Sequence, residues 1–311
     1  MSKIAFLFAG QGAQAVGMGK ELADNYACAS QVFDEASDAL GFDIKDMIFN
    51  GDEETLKITE NTQPTIVTMS VAALRVLEEK GIKADVTAGL SLGEYTAHIA
   101  SGSMSFCDGV RLVKKRGKYM QEEVPLGKGA MAAIIGLSSE DITEACKIAS
   151  EFGICSPANF NCPGQIVISG ETEAVSKCCE TAKEMGAKRA LLMPVSAPFH
   201  CSMLKGAGEK LGRELENTVI SDMTIPVITN VTADYIKSKD EIKPLLIKQV
   251  SSSVLWEASI RRMIADGIDT FIEIGPGKTL SGFLRRIDKT KASYNVEDLA
   301  SLEKTLAGLG M

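Results

Sequence analysis

Asp85-Val86-Thr87-Ala88-Gly89-Leu90-Ser91-Leu92-Gly93-Glu94-Tyr95-Thr96-Ala97-His98-Ile99-Ala100 reads as a strand, a sharp turn and a helix. The short apolar run 85–88 suits a strand buried on both faces, and 94–100 gives the first turns of a helix. A serine between two glycines at such a turn has the nucleophile-elbow pattern G-x-S-x-G. The glycines matter because side chains would crowd a turn this tight. The helix that starts there aims backbone N–H groups and the positive end of its dipole at whatever sits on Ser91. The pentapeptide also arises by chance at ordinary strand-to-helix turns, so its meaning depends on what else the chain supplies.

The chain has 311 residues, enough for one large α/β domain or two, with ample core. Lysine plus arginine number 33 against 41 acidic residues, a net charge of −8. That balance argues against non-specific binding of nucleic acid. Eight cysteines are scattered, with no CxxC pair and no Cys/His ligand spacing, so no metal site is expected. There is no basic segment leading into a short apolar core at the start, and no apolar run of membrane length. The expectation is free thiols in a reducing, cytoplasmic compartment and no membrane partner.

Ile4-Ala5-Phe6-Leu7-Phe8 is a second buried strand, ending in Ala9-Gly10-Gln11-Gly12-Ala13-Gln14. Gly10-x-Gly12-x-x-Ala15 matches the dinucleotide fingerprint, but that reading needs a strand ending in an acidic residue about twenty positions on. Residues 27–40 are helical instead, with Val32, Ala36, Ala39 and Leu40 on one stripe. A nucleotide-binding module therefore rests on this loop alone. Asn61-Thr62-Gln63-Pro64 opens a long helix with Pro64 in its first turn, running to Lys80 and stopped by Gly81. Ser105 caps another helix carrying Arg111, Lys114, Lys115, Arg116 and Lys118. Gly277-Lys278-Thr279 invites a P-loop reading, but Ile272 stands where that motif needs glycine.

From Gly127 the pattern changes to strand, helix, strand, strand, helix, strand, with a turn at Asn161-Cys162-Pro163-Gly164. The order βαββαβ is the ferredoxin-like unit. The predicted fold class is α/β: a large domain of residues 1–126 and 197–311 with a mostly parallel sheet, and an inserted ferredoxin-like domain of residues 127–196.

A serine nucleophile needs a base within hydrogen-bond reach. The chain has two histidines. His98 lies two turns beyond Ser91 on the elbow helix, roughly 10 Å along the axis, and reads as a surface or packing residue. His200, at the junction after the insert and behind Pro198, is the base by elimination. The N–H of Leu92 supplies one oxyanion donor, and the N–H of Gln11 is the best second donor.

These residues carry a resemblance. Gly10-Gln11-Gly12-Ala13-Gln14, Asn61-Thr62-Gln63-Pro64, the elbow with Glu94-Tyr95, and Arg116 resemble the malonyl-CoA:acyl-carrier-protein transacylases. So do Asn159-Phe160-Asn161 with Pro163-Gly164-Gln165, Ser196-Ala197-Pro198-Phe199-His200, Gln249, and Glu273-x-Gly275-Pro276. The match spans nearly the whole chain in order. The family's architecture, a hydrolase-like α/β domain carrying a ferredoxin-like insert, agrees with the pattern above. The resemblance implies that Ser91 carries the acyl group as an ester and His200 moves its proton. It implies that Gln11 and Leu92 hold the oxyanion and that Gln249 orients His200 through its backbone carbonyl. It also implies that Arg116 pairs bidentately with the malonate carboxylate, with Phe199, Gln11, Asn159 and Asn161 also at the substrate site. Leu90 stands where many relatives have histidine, so no role is carried to that position. The bulky Phe199 resembles malonyl-selective members, its ring filling the space an α-methyl group would need.

The implied partners are a coenzyme A thioester, malonyl-CoA as substrate, and the phosphopantetheine arm of an acyl carrier protein. The pathway would be fatty acid or polyketide synthesis, with no permanently bound cofactor. An acidic enzyme meeting an acidic carrier needs a local basic patch, and Lys188, Arg189, Arg285, Arg286 and Lys289 are its candidates. The alternative is a serine thioesterase or hydrolase on the same elbow, whose histidine would be oriented by an acid.

Overall fold

The computed structural model describes residues 2–195 and 197–311, so Ser196 of the Ser196–His200 motif lies outside the described residues. Nine strands are present among them: β1 (Ile4–Phe8), β2 (Val86–Gly89), β3 (Gly129–Ile135), β4 (Cys155–Cys162), β5 (Gln165–Glu171), β6 (Arg189–Leu192), β7 (Val227–Ile228), β8 (Thr270–Ile274) and β9 (Ala292–Val296). They form two sheets. The first has the order β7-β2-β1-β8-β9, and every neighbouring pair is parallel. The second has the order β4-β5-β3-β6 and is antiparallel throughout. The fold is thus α/β, a parallel sheet beside a separate antiparallel one.

Period-two alternation explains how the parallel sheet is covered on both faces. Phe6 and Phe8 of β1 enter one core, with the long helix Thr59–Glu79, while Ala5 and Leu7 enter another with Trp256, Ile260 and Phe271. Each phenylalanine, leucine or isoleucine so buried contributes about 1.5–3 kcal/mol. The antiparallel sheet has its own core, where Ala132, Ile134, Ile166 and Ile168 meet the helices Ser139–Ala149 and Thr172–Glu184.

The register aligns the carboxyl ends of the parallel strands: Phe8 is level with Gly89 on one side and Ile274 on the other. The elbow after β2, the Gly10 loop after β1 and the segment after β7 therefore emerge together. Open α/β sheets place their sites at this edge.

Two local expectations are corrected, and one strand and one helix are added. The long helix begins at Thr59, because the N–H groups of Asn61 and Thr62 already turn back onto Ile58 O, so Pro64 lies inside it. The stretch 225–230 reads as a strand in the sequence, and only Val227–Ile228 of it forms one. Strand β9 and the closing helix Leu299–Gly308 are additions; β9 is only half-buried at the sheet edge and shows no continuous apolar run.

The antiparallel sheet is joined through β4 to the segment that precedes the helix Trp256–Ala265. Phe160 N–H donates to Val254 O at 2.9 Å, and Val254 N–H donates to Ala158 O at 2.8 Å. Arg286, on the helix Thr279–Ile287, donates to Gln165 Oε1 at 2.7 Å and to Pro163 O at 3.1 Å, holding the β4–β5 turn against that helix.

Candidate active site

The elbow is built by contacts that only glycine permits. A Cβ at Gly89 would stand 1.9 Å from the carbonyl carbon of Gly93, and one at Gly93 would stand 2.1 Å from Phe8 O. Between them Ser91 takes φ 53°, in the left-handed region that side-chain-bearing residues avoid. His200 does the same, at φ 62°. Such conformations cost about 1–3 kcal/mol each and persist only where surrounding contacts hold them.

Asn230, just beyond β7, holds the elbow. Its Oδ1 accepts from Ser91 N–H at 2.6 Å and its Nδ2 donates to Gly89 O at 2.7 Å. The sequence reading missed this residue. Its signal was position: a polar side chain at the carboxyl end of the strand beside the elbow strand.

Ser91 Oγ lies 2.6 Å from His200 Nε2, and His200 Nδ1 lies 3.0 Å from Gln249 O. A carbonyl only accepts, so Nδ1 carries the proton and Nε2 presents its lone pair to the serine hydroxyl. The acid that a hydrolase would place on Nδ1 is replaced here by a backbone carbonyl, which disfavours the hydrolase alternative. Burial first, and the Arg116 cation second, push the His200 imidazole down to about 4. It is neutral near pH 7, as a general base must be.

Arg116 is a buried cation, 2% exposed. Its Nη1 donates to Gln63 Oε1 at 2.9 Å; its Nη2 donates to Ser91 Oγ at 3.2 Å and to Gln249 Oε1 at 3.1 Å. The guanidinium stacks 5.3 Å from the centre of the Tyr95 ring. Its Nε is buried with no acceptor among the described residues.

Glu94 is fully buried nearby, and that burial pushes its carboxyl up to about 7, against hydrogen bonds from Asn230 and Gln249. Its Oε2 accepts from Asn230 N–H at 2.9 Å and from Gln249 Nε2 at 2.8 Å. Gln249 Nε2 also reaches Ser91 O at 3.0 Å. The Gln249 side chain therefore ties the elbow, the arginine and the carboxylate together, beyond the carbonyl role expected of it.

Among the described residues, the backbone N–H groups of Gln11 and Leu92 have no acceptor. The Gln11 side chain donates to Thr59 Oγ1 at 3.4 Å. Phe199 is buried immediately before His200. Asn159 and Asn161 are buried on β4, and among the described residues neither hydrogen-bonds to Ser91, His200 or Arg116. His98 is fully buried, which removes the surface option: its Nδ1 lies 2.9 Å from Ser103 Oγ, and burial pushes it down to about 3. His200 borders a cleft of about 750 Å³, lined also by Ser251, Ser252 and Ser253 and by Gly153, Ile154 and Cys155.

Residues 5–306 match the acyl transferase domain family. The chain is 48% identical over 310 residues to the malonyl CoA-acyl carrier protein transacylase of Bacillus subtilis, covering 99% of this chain and 98% of that protein. It superimposes with a TM-score of 0.97 and 51% identity on a solved malonyl CoA-acyl carrier protein transacylase of Clostridium perfringens, covering 99% of this chain and 98% of that one. It also superimposes with a TM-score of 0.96 and 42% identity on a malonyl-transacylase solved in complex with its type II PKS acyl-carrier protein, covering 99% and 100% respectively.

Proposed function

The chain belongs to the malonyl-CoA:acyl-carrier-protein transacylases within the acyl transferase family, and from that premise we propose how its own residues carry the reaction. The enzyme moves a malonyl group from coenzyme A to the phosphopantetheine thiol of an acyl carrier protein, for fatty acid or polyketide synthesis. The carrying observation is the buried Arg116 guanidinium 3.2 Å from Ser91 Oγ. A cation out of water beside a nucleophile selects an acyl group that brings its own carboxylate.

His200 Nε2 takes the Ser91 proton as Oγ attacks the thioester carbonyl. The carbonyl oxygen becomes an oxyanion, held by the N–H groups of Gln11 and Leu92; one such donor is worth about 10²–10³ in rate. Collapse expels the coenzyme A sulfur, which leaves with the proton from His200. The carrier thiol then gives its proton to His200 and attacks the Ser91 ester, and the serine leaves reprotonated. Gln249 O fixes the tautomer throughout.

The same geometry links substrate choice to basicity. Arg116 is one cause of the low His200 value. A malonyl carboxylate on Arg116 offsets that cation, so the correct acyl group strengthens the base. Phe199 beside His200 limits the space for an α-methyl group, and the family likeness assigns the buried Asn159 and Asn161 to the substrate site. Side chains and backbone N–H groups carry every step, so the reaction needs no resident cofactor. No described helix is long and apolar enough to cross a membrane. The eight free thiols suit a reducing compartment, and the cytoplasm is the proposed location.

Intact-protein mass spectrometry after incubation with malonyl-CoA tests this. The expected result is a malonyl adduct on the peptide holding Ser91, stable in buffer and discharged by holo acyl carrier protein. Prompt discharge to water without the carrier, or an adduct that survives Ser91→Ala, overturns it.

A further inference from the structure

Away from the Ser91 site, three thiols meet in the core of the antiparallel sheet. Cys146 comes from the helix Ser139–Ala149, Cys155 from β4 and Cys178 from the helix Thr172–Glu184. The Cys146 sulfur lies 3.7 Å from that of Cys178 and 3.9 Å from that of Cys155, and all three fall within 4.8 Å of one another. All are free thiols. Sequence spacing hides them, since 9 and 32 residues separate Cys146 from its two neighbours.

The separations decide what the cluster suits. Sulfurs bound at ~2.3 Å to one tetrahedral ion lie about 3.8 Å apart, and in a trigonal plane about 4 Å apart. A disulfide needs ~2.05 Å. The cluster thus stands at ligand spacing, and a disulfide would need the helices and strand to move. The surroundings are apolar, with Ile142, Ile168 and Val175 in the same core. Such a donor set selects a soft cation over Mg²⁺ or Ca²⁺. Cys146 and Cys178 are closed off, whereas Cys155 is half-buried and is among the residues lining the cleft that His200 borders.

We propose that Cys146, Cys155 and Cys178 form a three-sulfur site for one soft d¹⁰ cation, Cu(I) or Zn(II). Cu(I) would sit among the three sulfurs alone; Zn(II) would add a water from the cleft. Binding releases thiol protons to solvent and transfers no electron. The ion would tie both helices of the small core to β4, the strand that bridges to Val254.

The test uses the full, reduced chain under anaerobic conditions. It is titrated with Cu(I) held by a competing chromophoric chelator and, separately, with Zn(II) against a chromophoric indicator. One equivalent of either ion should be withdrawn, with a rise in Tm. Both effects should vanish in Cys146→Ser and Cys178→Ser and survive in Cys28→Ser and Cys107→Ser. X-ray absorption of the loaded wild-type chain should show three sulfur neighbours at one distance, a readout that holds even if the serine variants misfold. Uptake equal in wild type and the cluster variants, or a shell dominated by nitrogen and oxygen, overturns the proposal.

Discussion

Replacing Arg116 by alanine removes the cation that donates to Ser91 Oγ. In the wild type a malonyl carboxylate would take two charge-assisted hydrogen bonds from it, each worth about 1.5–3 kcal/mol in a dry site. An acetyl group takes neither. The difference is about 3–6 kcal/mol, so the preference for malonyl over acetyl should fall by roughly 10²–10⁴. The variant should still fold. Glu94 loses a cation that lowers its pKa, but that pKa already stands at about 7, so a proton neutralises it at little cost. The assay is single-turnover acylation of Ser91 by malonyl-CoA and by acetyl-CoA, read by intact mass, with Tm as the check on folding. Arg116→Lys keeps the charge and loses the fork, and should recover only part of the preference. A folded Arg116→Ala chain whose malonyl-to-acetyl ratio stays within a few-fold of wild type would refute the role given to the guanidinium.

Other outcomes follow from the same contacts. His200 works as a base only when neutral, so acylation should rise with pH through its pKa; for free enzyme that limb belongs near about 4, below the ordinary histidine range. Because malonate offsets Arg116 and acetate does not, the acid limb of kcat should lie at higher pH with malonyl-CoA than with acetyl-CoA, and coincident limbs would contradict the coupling. Asn230→Ala leaves Ser91 N–H and Gly89 O without their partner, so it should cost about 1–3 kcal/mol of stability and slow acylation, with the malonyl-CoA KM little changed; an unaltered acylation rate would remove Asn230 from the elbow's support. Reversing Lys188 and Arg285, both exposed, to glutamate should raise the KM for the carrier several-fold at low salt without changing malonyl-CoA kinetics. Arg286 is left out because it already holds the β4–β5 turn. No effect at low salt would place the docking surface elsewhere.

What the sequence made legible was local and what it hid was lateral. The elbow carries its own signature, because the crowding that demands Gly89 and Gly93 arises within a few residues and across one neighbouring strand. Phe6 and Phe8 could be read as buried because an unbroken apolar run leaves no exposed face. His200 was reached by elimination between two histidines, not by pattern. Asn230 and the Gln249 side chain act across the sheet edge, 139 and 158 residues from Ser91, and no periodicity carries such pairings. The closing strand Ala292–Val296 escaped because an edge strand packed on one side needs few apolar residues.

The backward-bent backbone at position 91 restricts which nucleophile this scaffold can ever use. A β-carbon bearing two heavy substituents clashes with its own peptide groups in that conformation. Threonine has the same hydroxyl, yet it is shut out of the elbow, while unbranched cysteine fits. Divergence toward another acyl-enzyme chemistry would therefore run through a thioester and not through a secondary alcohol.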